Sequence, residues 1–392
     1  MMVKACRFAV GAALAVFVVC VDGSPAGDVE SPPEAAPLRR VRVGEDKRDF
    51  QLEGTDERFT AWGFNYTHNR AGKLIEDYWA DDWPTLESDF REMKALGANT
   101  VRIHLQTAKI MAAPRKADPG ALKRLARLVK LAERTRLYLD ITGLACYEKQ
   151  NVPKWYDRLS ESDRWDVQAR FWEAVARTCA ASDAVFCYDL MNEPVLPGKK
   201  KQTEWLAGEF GGKTFVQRIS LDLAGRTRRQ VAKAWVGKLV AAIRTHDKQT
   251  LVTVGVIPWA YAFWPGAKTP VFYSGDVDEG LDFVSVHLYP KKNDVPKALK
   301  ALACYDVGKP IVIEETFNLS CGLEDLDAFI DGSRNLADGW IGHYFGHTIK
   351  QYKAEQGTMA DAIHRAFLEY FRGKTPDILP PAQSTRPTGQ QP

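Results

Sequence analysis

Eight short apolar runs alternate along this chain with segments of helical periodicity, and this alternation constrains the fold more than any other feature of the sequence. Strands that alternate with helices pair in parallel, and parallel strands are apolar throughout because both of their faces are buried. Eight such units fit a closed (β/α)8 TIM barrel of class α/β better than an open sheet. The predicted strands, numbered one to eight, are residues 59–65, 100–105, 136–141, 184–191, 250–256, 283–288, 310–314 and 339–345.

Amphipathic segments between and after these strands predict the helices. Leu122, Leu125 and Val129 stand three or four residues apart and define the apolar face of one of them. Asp163 is placed to cap the N-terminus of another. The predicted helices are residues 84–96, 119–134, 163–181, 226–246, 295–302, 323–336 and 360–372, whereas a polar insertion covers 195–216 and the crossover 257–280 has the weakest periodicity.

The N-terminus has the pattern of an export signal, residues 1–23. Lys4 and Arg7 precede an apolar run, residues 8–19, that is too short to span a bilayer core about 30 Å thick. No other stretch is long and apolar enough to cross a membrane. We therefore expect a secreted or periplasmic protein with no membrane span.

Composition sets the remaining boundaries of the folded unit. Residues 24–40 and 374–392 are rich in residues that do not form a packed core, and they predict a disordered linker and a disordered tail. Residues 41–373 then form a single barrel domain. Its first residues, 41–43 and 50–52, predict a small hairpin that caps the barrel floor.

Charge and composition exclude several kinds of partner. The chain has 53 basic and 50 acidic residues, a net charge of +3, which gives no case for nucleic acid binding. It has neither a glycine-rich phosphate loop nor a dinucleotide fingerprint, so we expect no cofactor. Five of the seven cysteines lie outside the signal, and an odd number leaves at least one thiol free. A bridge between Cys304 and Cys321 stays open, and we expect a monomer.

Two glutamates stand at strand ends, where the active site of a barrel lies. Glu193 follows strand four in an Asn-Glu-Pro sequence, and Glu315 ends strand seven. Glu314 and Glu315 point to opposite sides of a regular strand, so only one of them is expected to face the barrel axis. Carboxyl groups on two walls of a barrel mouth suit the cleavage of a glycosidic bond, because one protonates the departing oxygen and the other attacks the sugar.

Five motifs, taken together and in order, resemble those of family 5 glycoside hydrolases, cellulase-like and mannanase-like enzymes of a retaining barrel clan. The similarity covers residues 41–373. The motifs are Trp62-Gly63-Phe64-Asn65-Tyr66, Asn99-Thr100-Val101-Arg102, Asn192-Glu193-Pro194, His287-Leu288-Tyr289, and the segment from Lys309-Pro310 to Glu315.

The resemblance implies a glycosidase that cleaves β-linked glucan or mannan by double displacement, with a carbohydrate as its partner. Glu193 matches the family's acid/base and Glu315 its nucleophile. Asn192 matches the residue that bonds the sugar 2-hydroxyl, and Arg102 the arginine that keeps the nucleophile ionised.

Tyr289 matches the tyrosine whose hydroxyl reaches the nucleophile, and His287 a histidine near the acid/base. For Arg102 a plain inter-strand salt bridge, and for His287 a satisfied core position, would look the same in sequence. His68 and Trp259 follow strands one and five and are expected to line the cleft.

Two departures from the family pattern put the sugar in doubt. Strand three lacks the usual histidine at its end. Strand eight should offer a tryptophan to the substrate, and Trp340 stands at the start of that strand instead of the end. Trp340 is predicted to bind substrate, with His343, Tyr344 or Phe345 as alternatives.

Two other classes of protein compete with this interpretation. A non-catalytic carbohydrate-binding barrel would need to have lost one of the two carboxylates, and both are present. A metal-dependent barrel hydrolase predicts paired ligands such as His-x-His on strand one, where this chain has Gly63-Phe64-Asn65. We therefore expect no metal.

Overall fold

The computed structural model describes residues 36–68, 72–258, 270–354 and 357–379. Within these ranges eight parallel strands form a barrel surrounded by helices, as the sequence predicts. The proposed signal peptide, most of the linker and Trp259 lie outside the described residues. Strands one to eight are Ala61–Tyr66, Thr100–Gln106, Tyr138–Ala145, Val185–Asp189, the two halves Leu251–Thr253 and Gly255–Val256, then Val284–His287, Ile311–Thr316 and Gly339–Phe345.

The helices pack around the strands and bury their apolar faces against them. Seven of the predicted helices are present, with ends shifted by a few residues. After strand five the described residues contain two short 3-10 turns, Val271–Tyr273 and Gly275–Val277. The longer helices are Trp83–Ala95, Pro119–Thr135, Glu161–Cys179, Arg228–Arg244, Val295–Leu302, Leu323–Ser333 and Met359–Ile378, and shorter ones are Thr107–Ile110, Lys154–Asp157 and Ile349–Ala354.

Strand five closes the barrel because it is divided at Val254. Its first half pairs with strand four and its second half with strand six, so the two edges of the sheet meet within one strand. The Tyr273 hydroxyl lies at this seam. It accepts hydrogen bonds from the N–H groups of Val254 (3.2 Å) and Ser285 (3.0 Å), and it donates to the Val254 carbonyl (2.5 Å). One side chain thus satisfies the backbone groups that the division leaves without ladder partners.

The predicted N-terminal hairpin is present and forms the barrel floor. Val41–Val43 pairs antiparallel with Phe50–Leu52, and a third short strand, Arg58–Phe59, joins them. Phe50 is fully buried, and its ring meets those of Phe186 and Phe283 edge to face, with ring centroids 5.2 Å apart in both pairs. The end of the barrel opposite the strand C-termini is therefore closed by aromatic packing.

Helix capping differs from the sequence expectation at one position. Ser160 caps the helix Glu161–Cys179, and its hydroxyl accepts from the Asp163 N–H at 3.2 Å. The prediction of Asp163 as the cap was wrong because the helix begins two residues earlier. An acidic residue in the first turn still favours the helix dipole.

The last helix extends beyond the predicted start of the tail at residue 374. It ends at Ile378, and Thr375 accepts a hydrogen bond from the Trp62 indole N–H at 3.0 Å. The Trp62 and Phe371 rings stack with centroids 4.2 Å apart. Packing against strand one carries the helix through Pro376, which the composition of this segment does not reveal.

The described residues contain neither a disulfide bridge nor a membrane helix. Cys304 and Cys321 are both free, so the bridge left open by the sequence is not formed. None of the helices in this part of the chain is both long and apolar enough to cross a bilayer.

Tyr273→Phe tests the seam of the barrel. Loss of the hydroxyl leaves two buried N–H groups and a carbonyl without this partner, so the free energy of unfolding should fall by about 1–3 kcal/mol. Urea unfolding followed by circular dichroism measures it. Tyr138→Phe is the control, since it removes one hydrogen bond, to the Arg39 carbonyl, and should cost less. Equal losses in the two variants would contradict a special role for Tyr273.

Candidate active site

The carboxyl ends of the strands surround a cleft of about 670 Å³. Polar side chains from several strand ends lie at its base, while the polar insertion and the segments after strands seven and eight form its rim. The residues at the base are Asn65, His104, Tyr147, Asn192, Glu193, Tyr289, Glu315 and His343.

Glu193 occupies a strained backbone position at the end of strand four. Its φ angle is +46°, in the left-handed region that side-chain-bearing residues rarely adopt. The Glu193 N–H donates to the Gly255 carbonyl at 2.9 Å, which ties this turn to the second half of strand five. The turn directs a carboxyl group that is 17% exposed into the cleft.

Glu315 is the more enclosed of the two glutamates, with 12% of its side chain exposed. One of its oxygens accepts from the Arg102 guanidinium at 2.6 Å and the other from the Tyr289 hydroxyl at 2.6 Å. Burial alone would raise the pKa of this carboxyl, but the positive charges of His287 and Arg102 hold it well below its usual range. Glu315 is therefore a carboxylate at neutral pH.

Glu314 also faces the barrel interior, and the prediction that only one of the two adjacent glutamates does so was wrong. Strand seven departs from regular register between Ile313 and Thr316, as a β-bulge does, so side chains no longer alternate strictly. Glu314 is fully buried, and its Oε2 lies 3.3 Å from His287 Nε2 and 3.5 Å from Arg102 Nη2.

The two glutamates proposed from the sequence come close together. One carboxylate oxygen of Glu193, one of Glu315 and a ring nitrogen of His287 lie within 4.8 Å of one another. Carboxyl groups about 5–5.5 Å apart support a glycosyl-enzyme mechanism, whereas separations of about 6.5–9.5 Å leave room for an attacking water. An approach of the nearest oxygens to within 4.8 Å agrees with the shorter separation.

Arg102 connects the polar groups at the base of the cleft. It is fully buried, and one guanidinium nitrogen donates to both Glu315 and Asn65. The other nitrogen donates to Asp189 at 2.8 Å and to the Asn192 side chain at 3.0 Å. These contacts fix the Asn192 amide, whose nitrogen donates to the Phe215 carbonyl at 3.0 Å.

His287 lies between the carboxyl groups. Its Nδ1 is 3.0 Å from Glu193 and 3.5 Å from Glu315, and its Nε2 faces Glu314. Burial would lower the pKa of His287, but the charge of Glu315 and the contacts with Glu193 and Glu314 raise it to about 10. The ring is therefore an imidazolium at neutral pH.

Three further strand residues complete the buried network, and the sequence analysis did not single them out. Asp189 accepts from Thr142 at 2.8 Å as well as from Arg102, and Asp140 lies on the same strand as Thr142. The available signal was the presence of charged residues inside otherwise apolar strands, since a barrel interior fills with inward side chains from alternate positions.

Trp340 does not reach the cleft, and its prediction as a substrate-binding residue was wrong. It is 3% exposed, and its indole N–H donates to Ser333 on the helix after strand seven, at 2.9 Å. Successive side chains alternate between the two faces of strand eight, and the contact with Ser333 shows that Trp340 points outward to the helices. His343, one of the alternatives, lines the cleft and contacts the Tyr289 hydroxyl at 2.8 Å. Phe345 is fully buried.

His68 lies beside the cleft and contacts Asp89 on the first long helix at 3.0 Å, so it is held by the scaffold and is not a lining residue. Strand three has no histidine at its end, and His104 of strand two approaches the Tyr147 hydroxyl at 2.5 Å. Tyr147 follows strand three and lines the cleft. This pair occupies the space beside Asn65.

Two groups of side chains have the types and spacing of metal ligands: Glu193 with His287 and Glu315, and Asp140 with Cys187 and Glu314. The first group contains the two glutamates proposed from the sequence to be catalytic, and the second lies beneath it in the barrel interior, where all three side chains are buried.

Comparisons with protein families and with curated proteins both identify glycoside-cleaving enzymes as similar to this chain. The family model described as Cellulase (glycosyl hydrolase family 5) matches residues 45–320. The chain is 25% identical over 255 residues to mannan endo-1,4-beta-mannosidase A of Podospora anserina, which covers 58% of this chain and 59% of that protein. The chain thus spans about three fifths of the length of this curated relative.

Solved structures share the barrel fold at low identity. An exo-beta-1,4-mannosidase from Opitutaceae bacterium strain TAV5 matches with a TM-score of 0.62 and 17% identity, over 86% of this chain and 63% of that one. A beta-1,4-mannanase from Aplysia kurodai gives 0.58 and 14%, over 84% and 96%. The endoglucanase catalytic domain from Thermobifida fusca gives 0.56 and 16%, over 86% and 97%.

The charge on His287 can be measured directly. Because folding raises its pKa, His287 stabilises the fold most below its unfolded pKa of about 6.5, and this contribution is lost as the pH rises towards 10. Nitrogen NMR of labelled histidine should therefore show a cationic ring at pH 8, assigned by its loss in His287→Gln. His104, whose pKa burial and Arg102 lower, should be neutral at that pH. A neutral His287 at pH 8 would contradict this account.

Proposed function

This chain belongs to glycosyl hydrolase family 5, and on that premise we propose that it hydrolyses β-glycosidic bonds of an oligosaccharide or polysaccharide with retention of anomeric configuration. The separation of Glu193 and Glu315 is the observation that carries the proposal. Their unequal surroundings support a division of roles, since Glu315 is held as a carboxylate by two cations and a hydroxyl.

Glu193 acts as the acid and base, and Glu315 as the nucleophile. In the first step a Glu315 oxygen attacks the anomeric carbon while Glu193 gives its proton to the departing oxygen, which leaves a glycosyl-enzyme ester. In the second step Glu193 takes a proton from water, the water oxygen attacks the anomeric carbon, and Glu315 leaves as a carboxylate. His287 stabilises the Glu193 carboxylate that forms between the two steps.

The neighbours of Glu315 set its geometry in this reaction. Arg102 and Tyr289 each bind one oxygen, so the carboxylate is oriented before substrate arrives. Asn192 is held from two sides by Arg102 and the Phe215 carbonyl. Its second amide N–H is free to bind the 2-hydroxyl of the sugar under attack.

The substrate is proposed to be a β-1,4-mannan first and a β-1,4-glucan second, because more of the named relatives act on mannan than on glucan.

The polar insertion supports a preference for substrates of several sugar units. Its strands Leu206–Ala207 and Val216–Arg218 form a hairpin, and Lys213 ties it to the Gly72 carbonyl at 2.7 Å. The Thr214 N–H donates to the Tyr147 carbonyl at 2.7 Å. The hairpin is therefore a fixed wall of the cleft.

Phe210 stands at the tip of this hairpin on the cleft rim, with 66% of its surface exposed. Gly211 and Gly212 have φ angles of +60° and +80°, which suits a tight two-residue hairpin turn and fixes the position of the ring. An aromatic ring held in the open at a cleft rim is suited to stacking on the apolar face of an outer sugar unit. We further propose that residues 1–23 export the protein and that it acts as a monomer.

Glu315→Ala and Glu193→Ala test the two roles. Each variant should lower kcat on soluble mannan or glucan by at least about 10³-fold, because each removes a group that reacts in the transition state. Reducing-end release measures turnover, and circular dichroism checks the fold. Glu324→Ala removes an exposed carboxylate from a surface helix and should behave as wild type. Normal turnover by a folded Glu315→Ala protein would refute the mechanism, and sugar binding by wild type without any hydrolysis would favour a non-catalytic barrel.

Phe210→Ala tests the outer binding position. KM for oligosaccharides of five or six units should rise about three- to tenfold with little change in kcat, because the contact is equal in ground and transition states. Aryl monoglycosides should be unaffected. Glu324→Ala, exposed on a surface helix that contributes no residue to the cleft lining, is the control. An effect independent of substrate length would contradict the assignment.

A further inference from the structure

Glu314 lies directly beneath the two proposed catalytic glutamates, and the mechanism above does not use it. Its Oε2 contacts His287 and Arg102, as described. Its Oε1 is buried, and no N–H or hydroxyl group of the described chain donates to it. A buried carboxylate oxygen without a donor is costly, so this side of Glu314 requires a partner.

Asp140 meets that requirement. It is fully buried on strand three, and an oxygen of Asp140, an oxygen of Glu314 and the Cys187 sulfur lie within 4.8 Å of one another. Both Asp140 oxygens also lack an N–H or hydroxyl donor in the described residues. An oxygen of each carboxyl group lies within 4.8 Å of the other, and each group has a buried oxygen that receives no N–H or hydroxyl donor. A proton held between the two groups satisfies both oxygens.

The surrounding charges decide which carboxyl holds that proton. Arg102 and His287 both contact Glu314 and neither forms a hydrogen bond with Asp140, so the charge belongs on Glu314. Burial and then the charge of Glu314 raise the pKa of Asp140 well above its usual value. Burial would raise the pKa of Glu314, but Arg102, His287 and the hydrogen bond from Asp140 lower it.

The backbone of strand five makes room for this arrangement. A Cβ atom on Gly255 would lie 2.4 Å from Glu314 Oε2, 2.7 Å from His287 Nε2 and 3.2 Å from Arg102 Nη2. The three charged groups therefore meet at a point where only glycine fits. The groups facing the cluster are Arg102 from strand two, Asp140 from strand three, Cys187 and Asp189 from strand four, Glu193 after it, His287 from strand six, and Glu315 beside Glu314 on strand seven.

We propose that Asp140 is a carboxylic acid that donates its proton to Glu314, and that this acid–carboxylate pair holds His287 as the imidazolium that serves Glu193 and Glu315. Both members are positioning residues, since they act through His287. The inference rests on the proposed function, because it assigns His287 the task of stabilising Glu193 once Glu193 has given its proton to the departing oxygen.

Disruption of the Asp140–Glu314 pair should lower kcat/KM by different amounts for different substrates. Glu314→Gln removes the charge that favours the imidazolium, so the ionised form of Glu193 is less stable and proton donation becomes harder. Substrates with a poor leaving group depend most on that donation. The kcat/KM for an oligosaccharide should fall about 10- to 100-fold and that for an activated aryl glycoside clearly less. The alkaline limb of the pH profile should move to higher pH, because Glu193 then keeps its proton to higher pH.

Asp140 is tested by two variants of nearly equal size. Asp140→Asn keeps an N–H donor for Glu314 without a charge, and Asp140→Leu removes the donor. Asp140→Asn should therefore exceed Asp140→Leu in kcat/KM on the oligosaccharide by at least tenfold and keep the wild-type alkaline limb. Ile341→Val, fully buried on strand eight in the apolar cluster at the barrel floor, controls for disturbed packing and should keep the wild-type pH profile.

The charge on His287 gives a readout that does not require activity. In Glu314→Gln the pKa of His287, followed by nitrogen NMR, should fall by at least one unit, and in Asp140→Asn it should stay near the wild-type value. An unchanged pKa of His287 in folded Glu314→Gln, or a lowered pKa of His287 in Asp140→Asn, would overturn the proposal. Failure of the wild type to hydrolyse any glycoside would refute the proposed function instead, and the NMR result would still decide the state of the carboxyl pair.

Discussion

A single buried guanidinium, that of Arg102, determines what else the barrel mouth can contain. It has no solvent contact, so its charge must be matched by fixed groups, and it reaches Asp189, Glu314 and Glu315 from one position. Desolvating this many charges costs more than an apolar core would, which is why such clusters are weak evidence for stability. Their value here is geometric, since a buried and fixed cation holds the carboxylate of Glu315, the proposed nucleophile, in one position.

Departures from regular strand geometry give the site its arrangement. The division of strand five exposes the Gly255 carbonyl to the turn that contains Glu193, and the same glycine leaves space for three charged groups. The irregular register of strand seven turns two consecutive glutamates inward. Each irregularity costs ladder hydrogen bonds, and each is found beside residues that carry the chemistry, as expected where local rules yield to function.

The fold was accessible from the sequence because short apolar runs indicate the strands and helical periodicity indicates the seven helices between and after them. Asn192, Arg102, His287 and Tyr289 were accessible through the family resemblance, and the position of His287 and Tyr289 at the end of an apolar run supported it. Glu314 and Trp340 were not, because their orientation depends on register and on which residue of a strand begins the pairing. Trp340 illustrates this, since a shift of one position along strand eight separates the helix-facing side from the substrate-facing side.

The left-handed backbone conformation of Glu193 lowers stability at a residue that the proposed reaction requires. A side chain with a Cβ is disfavoured at that φ angle, and glycine or asparagine would relieve the strain. Glycine there would relieve the strain but would also remove the carboxyl group from the cleft. The fold therefore bears a local cost in stability at the residue proposed to act as acid and base.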